Sequence, residues 1–263
     1  MLKSDIGSFR NCAKSESFFR VWRPITESLR GVLVLVHGLG EHSGRYEHVG
    51  GYLAERGLIV YAADHQGHGR SEGRRGWVAE FGHLLDDLEA FHALVTTTHP
   101  GLPLVLLGHS MGGLIVTAYL LERKGSRPDL VVLSGPAIVP LLDPNDRTID
   151  PTRLSKDPSV WDAYLSDPLI LRERVDPELF VRLAEGIQLL PGRAHEIDVP
   201  LLLIHGDADH LCSAEGAAMY VRQSSSPDLE VRIYPGGRHE MFNEVERDHV
   251  LADLWAWLDT RLP

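Results

Sequence analysis

Short runs of unbroken apolar residues alternate with longer stretches in which apolar residues recur at helical spacing. The runs Gly31–Val36, Leu58–Ala63, Leu104–Leu107, Leu130–Leu133 and Leu201–Ile204 predict strands, and Glu230–Tyr234, with charges between its apolar residues, predicts the last. Runs apolar at nearly every position suit strands covered on both faces, as in a parallel sheet. Between them, residues 46–55, residues 84–98 and the stretch beyond Ser110 predict helices. Residues 245–262 predict a terminal helix with Val250, Leu254, Trp257 and Leu258 on one face. Residues 15–23, aromatic and β-branched and followed by Pro24, predict an early edge strand. Strands and helices in turn define an α/β fold with a mostly parallel central sheet flanked by helices.

One segment breaks the alternation. Residues 137–198 are punctuated by Pro140, Pro144, Pro151, Pro158, Pro168 and Pro177, with short helices expected near 159–165 and 177–190. The division that follows is a core of residues 1–136 and 199–263 and an insertion of 137–198. Such a segment could be a plain surface loop. Its start at a strand's carboxyl end, where open α/β sheets bind ligands, favours a short cap over the site.

Composition narrows the class. At 263 residues with 43% hydrophobic content, the chain suits one large α/β domain. A net charge of −11 repels nucleic acid, so no nucleic-acid partner is expected. Two cysteines, Cys12 and Cys212, make no disulfide scaffold. The first residues lack the apolar stretch of a signal peptide and no run is long enough to span a bilayer, so the expected location is cytoplasmic.

The chemistry centres on Gly108-His109-Ser110-Met111-Gly112, set between a buried strand and an apolar helix. Gly-x-Ser-x-Gly in that setting predicts a strained turn that exposes the serine hydroxyl, with glycine needed where the two sides of the turn face each other. A serine needs a base to take its proton. In the chain order of α/β-hydrolases the acid comes next and the histidine last. His239, on the loop after the final strand, is the candidate base, whereas His205 and His249 are expected to be structural. Asp209, fifth in His205-Gly-x-x-Asp209, is the candidate acid, and Asp207 is expected to shape the turn. Backbone N–H groups of Met111 and of Leu39, in His37-Gly38-Leu39-Gly40, are the candidate oxyanion donors.

These motifs carry a more specific resemblance. His37-Gly38-Leu39-Gly40-Glu41-His42-Ser43-Gly44-Arg45-Tyr46, Asp64-His65-Gln66-Gly67-His68-Gly69-Arg70-Ser71, Gly108-His109-Ser110-Met111-Gly112-Gly113 and Ser166-Asp167-Pro168-Leu169 resemble the monoacylglycerol lipases, as does Ala208-Asp209-His210-Leu211-Cys212. The resemblance runs from about residue 15 to the end of the chain. It implies hydrolysis of a monoacylglycerol ester to glycerol and a fatty acid, with no metal or cofactor. Ser110, Asp209 and His239 fall on matching positions. Glu41 and Arg45 match residues near the glycerol head, although an ion pair between them is an equally good reading. Tyr164 matches a cap tyrosine near the glycerol exit, and Cys212 a thiol close to the catalytic acid.

Two departures stand out. Phe242 replaces a histidine common three residues after the catalytic one, and residues 141–147 are short and polar where relatives carry an apolar lid helix. A more open site and at most transient contact with lipid interfaces are therefore expected. The competing readings are a broad carboxylesterase or lysophospholipase on short or medium acyl esters and, from another class, a non-catalytic binding module. Neither acyl-chain length nor oligomeric state is written in these motifs.

Overall fold

A computed structural model describes residues 4–26, 28–125, 127–141, 149–172 and 175–263. Eight strands form one sheet in the order β1-β2-β4-β3-β5-β6-β7-β8. They are β1 (Asp5–Arg10), β2 (Glu16–Trp22), β3 (Gly31–Val36), β4 (Leu58–Ala63), β5 (Leu104–His109), β6 (Leu130–Ser134), β7 (Leu201–Gly206) and β8 (Leu229–Tyr234). From β4 across to β8 all neighbours are parallel; β2 joins β4, and β1 joins β2, antiparallel. The helices are α1 (Glu47–Ala54), α2 (Phe81–Thr98), α3 (Met111–Glu122), α4 (Pro158–Ser166), α5 (Pro177–Gln188), α6 (Ala214–Val221) and α7 (Arg247–Asp259).

The apolar runs are explained by two cores, one on each face. Val32, Val34, Leu104, Leu106, Val131 and Leu203 point into a layer closed by α2, α3 and α6. Their alternates Leu33, Leu35, Val105, Leu107, Val132 and Leu202 point into the other, closed by α1 and α7. Period-two alternation thus survives within each strand, hidden because both faces are dry.

The early strand is real, but it is not the edge. β1 pairs outside it from Asp5↔Val21 to Arg10↔Glu16. Asp-Ile-Gly-Ser-Phe-Arg has too few apolar positions to read as a strand; the pairing is carried by Phe9 stacking on Phe91 at 4.8 Å. Helix α6 was likewise unforeseen, although Ser213 caps it by accepting from the Gly216 N–H. Helix α2 starts at Phe81, three residues before the expected onset, because Phe81 is buried beneath Gly186 of α5.

Residues 149–172 and 175–198 lie between β6 and β7 and carry α4 and α5, each begun by an Asp-Pro pair whose aspartate caps the helix. They are tied to the loop after β3: the Leu171 N–H donates to Gly40 O at 2.8 Å, and His42 pairs with Asp167 at 2.8 Å. The polar lid departure at 141–147 falls mostly on residues 142–148, outside the described residues. Among the described residues, no helix is long and apolar enough to cross a membrane.

Candidate active site

Every candidate site residue sits at, or folds over, the carboxyl end of the parallel strands. Ser110 follows β5 directly, with φ 53° and ψ −117°, in left-handed backbone that a non-glycine residue adopts only under constraint. The glycines around it are steric necessities. A Cβ on Gly108 would lie 2.5 Å from Gly112 O, and one on Gly112 would lie 2.0 Å from Val36 O. The strand and the helix it feeds can approach this closely only without side chains there.

The Ser110 hydroxyl donates to His239 Nε2 at 2.8 Å, and His239 Nδ1–H donates to Asp209 Oδ2 at 2.8 Å. The other carboxylate oxygen accepts from the N–H groups of Leu211 and Cys212, at 2.7 and 3.0 Å. Asp207 is elsewhere, accepting the Gly236 N–H at 2.6 Å and so closing the turn after β8. Burial would raise the Asp209 carboxyl, but His239 and His205 outweigh it and hold it well below the ordinary range. For His239 burial works downward, and the Asp209 charge and hydrogen bond carry the imidazole above its ordinary value. The result is an imidazole oriented at one nitrogen by a fixed anion.

His205, expected to be structural, also reaches the candidate acid. At the end of β7, wholly buried, it donates Nε2–H to the same Asp209 oxygen at 2.9 Å, while its Nδ1 has no partner among the described residues. Two imidazoles therefore share one carboxylate oxygen. The His-Gly-x-x-Asp spacing contained that signal, since a strand-end ring four residues before a turned-back carboxylate can reach it.

Leu39 and Met111 line the same cavity as Ser110. Met111 opens α3, whose first-turn N–H groups have no helical acceptor and lie at the positive end of the helix. The Leu39 loop is held by Glu41, whose Oε1 accepts the Gly38 N–H and the Tyr46 hydroxyl, both at 2.6 Å.

Two unlike spaces meet at Ser110. One is an apolar cavity of about 190 Å³, walled by Leu39, Leu114, Ile149, Leu183, Ile187 and Cys212 among others. The other is a polar cleft of about 20 Å³ lined by Glu41, Arg45, His109, Tyr164 and Glu240. The Glu41–Arg45 pair exists, at 2.9 Å, and both residues also face this cleft. Tyr164 lies with its ring 5.5 Å from the Arg45 guanidinium, and burial pushes its hydroxyl up to about 12. Phe242 is buried in the core behind α7, so it is the unforeseen Glu240 that enters the cleft from the histidine loop. Among the described residues, no group of three or more His, Cys, Asp or Glu side chains is arranged to hold a metal ion.

Fold and site together define the class: a serine hydrolase of the α/β-hydrolase type. Comparison with known proteins agrees. The family model for serine aminopeptidase, S33, matches residues 27–246. The monoacylglycerol lipase of Mycolicibacterium smegmatis is 37% identical, over 97% of this chain and 97% of its own. The monoglyceride lipase of Homo sapiens is 33% identical over 93% of this chain and 87% of its own. Among solved structures, the Paleococcus ferrophilus monoacylglycerol lipase superposes with a TM-score of 0.76 at 26% identity, covering 99% of this chain and 100% of that one. The chain belongs to the monoacylglycerol lipase family of α/β-hydrolases.

Proposed function

We propose that the chain hydrolyses monoacylglycerols to glycerol and a fatty acid, with Ser110 as nucleophile, His239 as general base and acid, and Asp209 as the anion that orients it. The observation that carries this is the Ser110–His239–Asp209 hydrogen-bonded chain opening between an apolar cavity and a polar cleft. An ester with one long apolar and one small polar half fits that division.

Ser110 Oγ attacks the carbonyl carbon while His239 Nε2 takes its proton, and the N–H groups of Leu39 and Met111 hold the resulting oxyanion. His239 then gives the proton to the departing glycerol oxygen, leaving an acyl-serine. Asp209 keeps Nδ1 protonated throughout and stabilises the imidazolium without accepting the proton. A water activated by His239 releases the acid. Residues 137–198 act as a short cap that supplies Tyr164 to the cleft and α5 to the wall of the acyl cavity.

The test is hydrolysis of one acyl chain presented as 1-monoacylglycerol, triacylglycerol and methyl ester, with Ser110→Ala as blank. A preference for the monoacylglycerol and a loss of roughly 10⁴-fold or more in Ser110→Ala are expected. Equal rates on the methyl ester would make the enzyme a broad carboxylesterase. Retained turnover in Ser110→Ala would remove the serine assignment.

A further inference from the structure

The polar cleft holds three charged groups that are nearly closed off from water. Glu41 and Glu240 are 3% and 5% exposed and the Arg45 side chain 10%. Two carboxylates against one guanidinium leave one net negative charge. Geometry strengthens the asymmetry. Glu240 accepts from both terminal nitrogens of Arg45, at 2.5 and 2.7 Å, and Glu41 accepts from Nη1 again at 2.9 Å. A guanidinium engaged end-on by a carboxylate, through both terminal nitrogens, has used one fork with which arginine grips phosphate. Asn243 fixes the arrangement by donating Nδ2–H to Glu240 Oε2 at 2.9 Å. Burial disfavours the charged form of Glu240, but Arg45 outweighs it and holds the carboxyl well below the ordinary range.

We propose that Glu240 is a specificity-determining residue. It neutralises Arg45 and sets the sign of the cleft, so that esters of neutral alcohols are accepted and esters whose alcohol carries a phosphate are rejected. An incoming phosphate would meet two carboxylates in a desolvated space, beside a cation whose two terminal nitrogens already donate to them; like charges placed together there repel strongly. Discrimination then comes from a built-in repulsive element rather than from an added attraction. The proposal rests on the monoacylglycerol reading only for the identity of the neutral alcohol, glycerol.

The experiment compares kcat/KM for 1-octanoylglycerol, 1-octanoylglycerol 3-phosphate and methyl octanoate, below micelle-forming concentrations, in the full chain and in Glu240→Gln. The wild type is expected to favour the glyceryl over the phosphoglyceryl ester by roughly 100-fold or more. Glu240→Gln should shrink that ratio by about 10-fold or more, since the amide keeps the shape, removes one charge and frees part of the Arg45 fork. A wild-type ratio near one, or a ratio unmoved by Glu240→Gln, overturns the proposal. Should the variant be too unstable to assay, the wild type still decides. Glycerol should inhibit methyl octanoate hydrolysis more strongly than sn-glycerol 3-phosphate does, and equal inhibition overturns it. The methyl ester separates the two ideas. A wild type that prefers it to 1-octanoylglycerol defeats the monoacylglycerol reading, while the glyceryl-to-phosphoglyceryl ratio continues to decide the role of Glu240.

Discussion

On one side of Ser110 the walls are carbon, from Leu39, Leu114, Leu183 and Ile187; on the other they are carboxylates, a guanidinium and a phenol. The apolar wall attracts through burial, which is non-directional and grows with area, so its residues can exchange for others of similar volume at little cost. The polar wall works through fixed partners. Each of its charges is stable only because the next one is there, and removing one leaves the others buried and unpaired. Acyl selectivity should therefore bend under mutation, whereas alcohol selectivity should break.

The largest effect is expected where breaking is sharpest. Arg45→Met strands Glu41 and Glu240, and losing one partner of a buried pair costs about 3–5 kcal/mol. Thermal unfolding should show a Tm lower by roughly 10 °C. A variant as stable as the wild type would mean that the cleft is wetter than its burial implies. A smaller effect is expected on the apolar side. Leu183→Trp, in the cavity wall, should lower kcat/KM for palmitoyl esters by roughly 10- to 100-fold and for butyryl esters by less than about threefold. Uniform loss across chain lengths would show that α5 supports the fold without gauging the chain.

The smallest effect concerns the triad on which both sides converge. In the proposed mechanism His239 must be unprotonated to act, and Asp209 holds it above the ordinary imidazole value of 6.5, so kcat/KM should rise with pH through a midpoint above that value. Substituting His205→Phe deletes one of two donors to Asp209 Oδ2. The carboxylate charge then falls more fully on His239, and the midpoint should move up by a few tenths of a unit, with kcat lower by about tenfold. His205→Gln, which keeps a donor, should return the midpoint toward its wild-type position. A midpoint indifferent to all three residues would make His205 a packing residue only.

What could be read from the chain divides along similar physical lines. β3, β4, β5, β6 and β7 were legible because they are apolar at nearly every position and covered on both faces. β1 was not, since its hold on the sheet is backbone pairing and one stacked phenylalanine. Ser110 and His239 were legible from local setting, one by its glycines and one by its place after the last strand. Glu240 was not: its partner Arg45 is 195 residues away, and no local pattern encodes a contact at that range. His205 was expected to be structural, and it is buried, but its bond to Asp209 was not read, because a strand-end histidine reads as core until the carboxylate that turns back to it is seen.

Separation along the chain also has a kinetic consequence. Ser110 and His239 are 129 residues apart, and the loop bearing His239 follows β8, the sheet strand latest in the chain and one that lies at an edge. Parallel strands cannot zip up through hairpins; their pairing waits on long-range closure, which is slow. A chain partway through synthesis or refolding can hold a finished nucleophile turn on β5 and still be inert. Turnover should then lag the recovery of helical circular dichroism, so that ester cleavage serves as a clock for the docking of the last strand.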